Sequence, residues 1–228
     1  MTIQAVQTQS PRRKITSQLV GMGITVDKAV DQAIVALIHS NTHVVAGVME
    51  NAVAIQEMEC AIDQTVVAAL ESGDLLPSEI RLATSVINIS KDLSRLGKLA
   101  ANLGRRVSQV GEHHEHEDFS RLQPLAIAVS HLCRQTLRSL THMDPVLARS
   151  AASAGTSVDA YRAYVLRGLN GNAHPEGEEQ NIHLIFASRC LEQIADHAID
   201  LAENLVTFLS CTPSPENRTS ILHQQLAG

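Results

Sequence analysis

Four carboxylates near the C-terminal end of the chain recur at the spacing of one helix face: Glu192, Asp196, Asp200 and Glu203. On a helix each lies about one turn from the next, so neighbours are close enough to share a cation. Carboxylate oxygens suit Mg²⁺, Mn²⁺, Ca²⁺ or iron. Like charges at this spacing repel by roughly 0.2–0.5 kcal/mol per pair. Two interpretations stay open: a cation site, or a helix face that is simply solvated.

An apolar stripe runs through the same segment, residues 181–209, roughly opposite the carboxylates. It consists of Leu191, Ile194, Ala198, Leu201 and Leu205. Steps of three and four residues are typical of a helix with one buried face. The segment is therefore predicted to be one long helix with a core-facing side and an acidic side.

Sequence motifs that carry catalysis are missing from the chain. It contains no HExxH motif, no glycine loop of the kind that holds phosphate and no nucleophile motif. A di-metal oxidase on a helical bundle uses Glu-x-x-His pairs, and the sequence contains none. Histidines and acids alternate over 111–119, which favours a polar linker over a chelating site. The chain is predicted not to be an enzyme.

Composition favours a globular helical protein. Aromatic residues make up only 2% of the 228 residues, so Ala, Val, Ile and Leu must fill the core, as in close helix packing. The net charge of −6 argues against a nucleic-acid binder. No apolar run reaches the roughly 18 residues of a membrane-spanning helix. The four cysteines lack metal-binding spacing, which indicates reduced thiols in a cytoplasmic protein.

Apolar residues recur at helical steps in six segments, and no segment alternates like a strand. The segments span about 15–40, 42–71, 78–110, 119–141, 145–169 and 181–209. The predicted fold is all-α, with one antiparallel three-helix bundle over 15–110, a linker at 111–118 and a second bundle over 119–210. Residues 1–14 and 211–228 are predicted to be flexible tails.

The third and sixth segments repeat each other at an offset of 98 residues, which aligns Leu93 with Leu191 and Leu103 with Leu201. The charged positions do not repeat. The positions that align with the four carboxylates are occupied by Ser94, Lys98, Asn102 and Arg105. The sequence therefore predicts a pseudo-symmetric pair of helices. One carries four acidic residues, and the other carries two neutral and two basic residues at the equivalent positions. Lys98 could take the place of an ion by reaching an acid nearby, with Asp92, Glu59 and Asp63 as the candidates.

Two motifs resemble the twin signature of the PhoU family: DLSRLGKLAANL at 92–103 and LEQIADHAIDLAE at 191–203. The resemblance implies two three-helix bundles related by a pseudo-twofold axis. It also implies a negative regulator of phosphate signalling, which acts as an adaptor between the phosphate ABC transporter, through its ATPase subunit, and a sensor histidine kinase. Homodimers are common in the family, and some members hold metal clusters on their acidic stripes.

Carried over residue by residue, the resemblance implies a divalent metal or iron cluster on the second bundle, with Glu192, Asp196, Asp200 and Asp159 as ligands. Two other functions stay open beside the phosphate regulator. One is a divergent relative that serves another transporter or metal homeostasis. The other is a metal-dependent enzyme on a helical bundle.

Overall fold

The computed structural model describes residues 11–71, 73, 77–113, 119–154, 160, 163 and 178–210. Six α-helices have their bounds within these residues, residues 160 and 163 are also helical, and no strand lies among the described residues. The six helices are α1 (Pro11–His39), α2 (Val45–Glu71), α3 (Pro77–His113), α4 (Gln123–Thr141), α5 (Pro145–Ala152) and α6 (Glu178–Ser210). Short 3-10 turns, Thr42–Val44 and Phe119–Leu122, precede α2 and α4. The prediction of an all-α fold is confirmed.

Local sequence explains where several helices begin and end. The side chain of Asp144 accepts hydrogen bonds from the backbone N–H groups of Val146 and Leu147 at 2.8 and 3.2 Å, which caps α5. Pro145 occupies the first turn, where no N–H is needed. Gly73 follows α2 with a φ of +80°, a backbone conformation that glycine adopts without a steric penalty.

Several helix boundaries differ from the prediction. Helix α1 begins at Pro11, so residues 11–14 are helical and the prediction of a flexible tail is wrong for them; residues 1–10 and 211–228 lie outside the described residues. Helix α6 begins at Glu178, three residues earlier than predicted.

Helix α3 continues to His113, three residues into the segment predicted to be a linker. Helix α5 ends at Ala152 and is followed by a turn. Most of the remainder of the predicted fifth helix, up to residue 169, lies outside the described residues, as do 114–118.

Helices α1, α2 and α3 pack against one another, and α6 packs against both α4 and α5. The two groups are joined by contacts of α3 with α6 and of α1 with α4. Buried side chains from all six helices form one continuous hydrophobic cluster. The predicted seams of α3 and α6 lie within this cluster, with Leu93, Leu96, Leu191 and Ile194 fully buried. The two bundles therefore share a core.

A glycine sets the distance between α2 and α3. A Cβ added to Gly97 would lie 2.8 Å from Cδ1 of Ile55, closer than carbon atoms pack. A glycine in the middle of a helix costs about 0.5–1 kcal/mol relative to alanine. The absence of a side chain at Gly97 therefore allows α2 and α3 to approach closely at this point, at some cost in helix propensity.

Candidate functional site

The acidic stripe lies on the side of α6 that faces away from the core. Asp196, Asp200 and Glu203 are exposed, and Glu192 is half-buried. Oδ2 of Asp200 lies 3.5 Å from Nδ1 of His197, one turn earlier on the same helix. The amphipathic helix predicted from the sequence is thus present, with its seam buried and its carboxylates outward.

The described residues alone do not assemble a metal centre. No three histidine, cysteine, aspartate or glutamate side chains among them converge on a point where one ion could bind. Asp159, the fourth ligand suggested by the family resemblance, lies outside the described residues. Metal binding by Glu192, Asp196 and Asp200 stays a prediction that depends on a ligand from beyond α6.

Helices α3 and α6 pack antiparallel, and a buried polar contact marks one end of their interface. Nδ2 of Asn204 donates a hydrogen bond to Oδ2 of Asp92 at 2.6 Å. Arg95, one turn along α3, places its guanidinium 3.7 Å from the other carboxylate oxygen of Asp92. The side chain of Asp92 is only 8% exposed. A buried carboxylate requires such partners, because an unpaired charge away from water is strongly unfavourable.

An open groove of about 300 Å³ lies over this contact. Its walls are formed by Asn88, Lys91, Asp92 and Arg95 of α3 and by Asp200, Glu203 and Asn204 of α6. Two cations on α3 thus stand opposite two members of the acidic stripe. The groove therefore brings charges of both signs together, with Asp92 of α3 as a third carboxylate.

Burial raises the pKa of Asp92 above its ordinary value of 3.8, while the hydrogen bond from Asn204 and the charge of Arg95 act in the opposite direction. Removal of the carboxylate from water is the dominant effect, as expected for a group held between two helices. The carboxylate of Asp92 joins α3 to α6 through the hydrogen bond from Asn204.

Lys98 does not neutralise Asp92. Its side chain is exposed, and the described partners of Asp92 are Asn204 and Arg95. The hypothesis that Lys98 pairs with Asp92 is therefore wrong. No ion pair within the described part of the chain joins Lys98 to Glu59 or Asp63.

The other end of the α3–α6 interface has a different chemistry. The guanidinium of Arg106 lies over the ring of Phe186, 4.5 Å from its centroid, a distance that allows a cation–π interaction. Burial raises the pKa of the Cys190 thiol, and the nearby charge of Arg106 partly opposes this shift. Cys60, Cys133 and Cys190 are free thiols, and Cys211 lies outside the described residues.

Sequence reasoning did not identify the contact between Asp92 and Asn204. The two residues are 112 positions apart, and each alone resembles an ordinary polar residue of a helix. The available signal was the matching of Asp92 to the first position of the family motif. Asn204 carried no such signal.

A family model described as the PhoU domain matches the chain twice, over residues 19–107 and 125–205. The chain belongs to the PhoU family. Each match covers one of the two bundles, so the PhoU repeat corresponds to the three-helix unit. The relation between α3 and α6 is thus the relation between equivalent helices of the two repeats.

Curated relatives span most of the chain. A PhoU homologue of Pseudomonas putida is 30% identical over 206 residues, which is 89% of this chain and 80% of that protein. A homologue from Pseudomonas aeruginosa is 31% identical over 198 residues, covering 86% and 81%. Both are named phosphate-specific transport system accessory proteins.

Two solved structures share the fold. The crystal structure of PhoU from Pseudomonas aeruginosa superposes with a TM-score of 0.81 at 28% identity and covers 89% of this chain and 99% of that one. A PhoU regulatory protein from Streptococcus pneumoniae gives 0.73 at 20% identity, covering 87% and 94%. The second comparison bears on the fold alone.

Proposed function

We propose that this protein is a negative regulator of phosphate signalling and uptake. It acts as an adaptor between the ATPase subunit of the phosphate ABC transporter and the sensor histidine kinase of the phosphate response. The observation that carries the proposal is the PhoU domain in both halves of the chain. Relatives about 30% identical are named accessory proteins of the phosphate-specific transport system.

The described architecture suits contact-based regulation. Long helices such as α3 and α6, of 37 and 33 residues, present extended faces on which two partners can bind side by side. None of the described helices is both long and apolar enough to span a membrane. An adaptor of this kind works in the cytoplasm, where the ATPase subunit and the kinase domains are accessible, and as a homodimer it would offer each face twice.

Binding to the two partners tests the adaptor role. The purified full chain is titrated by calorimetry with the transporter's ATPase subunit and, separately, with the cytoplasmic region of the kinase. The proposal expects a saturable complex with each and a ternary complex when all three are mixed. Failure to bind either partner, under conditions in which the chain is folded by circular dichroism, would contradict it.

Metal binding is the second candidate function, and the oxygen donors of the acidic stripe favour it. When bound, a divalent ion or iron cluster would neutralise the carboxylates of Glu192, Asp196, Asp200 and Asp159. Metal analysis of the protein is expected to find about one ion or more per chain, lost in Glu192→Ala/Asp196→Ala. A double variant of two exposed acids on α2, Glu50→Ala/Glu57→Ala, is the control. Equal metal content in both variants would count against the site.

A further inference from the structure

The two repeats are offset by 98 residues, so each residue of the groove beside Asp92 has an equivalent residue at the other end of the α3–α6 interface. Asp92 faces Asn204 across the α3–α6 interface. The positions 98 residues away are Cys190 and Arg106. The guanidinium of Arg106 lies over the ring of Phe186, one turn before Cys190 on α6, so the corresponding positions of α3 and α6 also adjoin at the other end of the interface.

The two ends carry opposite charge. The groove beside Asp92 contains three carboxylates and two cations. Its counterpart, found by the same offset, consists of Asn102, Arg105 and Arg106 of α3 and Phe186, Arg189, Cys190 and Gln193 of α6. This set has three arginines and no acid. Within the described part of the chain, no carboxylate forms an ion pair with Arg105, Arg106 or Arg189.

Apolar side chains adjoin the arginines. Ile182, Ile185 and Phe186 are 46–49% exposed, although they are large hydrophobic residues. They follow one another at steps of three and one, and Arg189 continues the same outward face of α6. In the first half the polar residues Thr84 and Asn88 correspond to Ile182 and Phe186, whereas Ile87 corresponds to Ile185 and is also apolar. Two of the three exposed apolar positions thus differ between the two ends.

We propose that Arg105, Arg106 and Arg189, with the exposed side chains of Ile182, Ile185 and Phe186, form a docking surface for an acidic amphipathic segment of a partner protein. Carboxylates of the segment pair with the guanidinium groups, and its apolar residues cover the isoleucines and the phenylalanine. The inference rests on the proposed adaptor role and extends it, because it locates the surface to which one of the two partners binds.

Charge and apolarity together select this kind of partner. Arginine and aromatic residues are enriched where protein interfaces bind tightly. A small inorganic anion would be held by the arginines but would leave the apolar residues uncovered. A guanidinium fixed over an aromatic ring is already ordered, so less rotamer freedom is lost when it binds a carboxylate. Arg106 over Phe186 has this arrangement.

A charge-reversal experiment tests the surface. Arg105→Glu/Arg189→Glu changes two exposed arginines, and Lys14→Glu/Lys28→Glu, at two exposed lysines of α1, changes the net charge equally elsewhere. Each variant is titrated with the ATPase subunit and with the cytoplasmic region of the kinase, after circular dichroism and thermal unfolding confirm the fold. The arginine variant is expected to bind one of the two partners roughly tenfold or more weakly, and the lysine variant within about twofold of wild type.

Three other outcomes overturn the proposal in distinguishable ways. If wild type binds its partners and the arginine variant binds equally well, the docking surface is wrong and the adaptor role stands. If wild type binds neither partner, both fail. If the arginine variant instead loses self-association in sedimentation, with partner binding unchanged, the surface is a contact between two copies of the chain.

Discussion

At the scale of single residues, the interface between α3 and α6 contains a buried carboxylate, that of Asp92. The folded pKa of Asp92 lies above the 3.8 of the unfolded chain, so ionisation of Asp92 disfavours the folded state. This cost is absent below pH 3.8 and grows as the pH rises through the folded pKa. Asp92→Asn removes it. The free energy of unfolding of Asp92→Asn, relative to wild type, is therefore expected to rise with pH across that window in urea titrations.

Asn204→Ala is expected to act in the opposite direction. Loss of the donor leaves the buried carboxylate of Asp92 less stabilised, and a hydrogen bond to a charged group contributes about 1.5–3 kcal/mol. Destabilisation should be largest at neutral pH and smaller at pH 4, where Asp92 takes up a proton more readily. Urea unfolding at both pH values measures the difference.

Asn102→Ala is the control, because Asn102 is an exposed asparagine on the partner helix α3. Its effect on the free energy of unfolding should stay within about 0.5 kcal/mol at either pH. Equal destabilisation by the two alanine variants would show that the contact between Asn204 and Asp92 has no special role.

At the scale of helices, glycines of α3 differ in what surrounds them. Gly97→Ala places a methyl group 2.8 Å from Ile55, whereas the corresponding distance at Gly104 is 3.4 Å, to Val45. Gly97→Ala is expected to destabilise the protein by about 1–3 kcal/mol through overpacking. Gly104→Ala, which gains helix propensity in an ordinary contact, should be neutral or stabilising by up to about 1 kcal/mol.

Thermal and urea unfolding of the two variants provide the measurement. Adding Ile55→Val to Gly97→Ala removes Cδ1 of Ile55, the nearest atom, and should recover part of the loss. Destabilisation of the same size in Gly97→Ala and Gly104→Ala would mean that the contact with Ile55 does not set the helix spacing.

Helices were the most predictable level of the structure. The seam from Val86 to Val107 could be identified because burial imposes a period of three and four on apolar residues. The rotation of α3 against α6 could not, because it depends on contacts between residues far apart in the sequence, such as Arg106 with Phe186 and Asp92 with Asn204. For the same reason, the sequence alone could not predict that Lys91 and Arg95 of α3 lie opposite Asp200 and Glu203.

At the scale of the whole molecule, the two repeats share one hydrophobic cluster. Polar contacts also cross between them, including a 2.6 Å ion pair of Arg134 with Asp31 and the contact of Asn204 with Asp92. Such continuity favours cooperative unfolding of both bundles together. Calorimetry is expected to give a single transition with equal calorimetric and van't Hoff enthalpies. Two resolved transitions would show that the bundles are independent.

The proposed negative regulation of phosphate signalling is tested most directly by gene expression in the cell. Expression of a phosphate-responsive reporter in phosphate-rich medium is measured in wild type, in a strain lacking this chain and in the complemented strain. A negative regulator predicts high expression in the deletion strain and repression when the chain is restored. Unchanged low expression in the deletion strain would contradict the account.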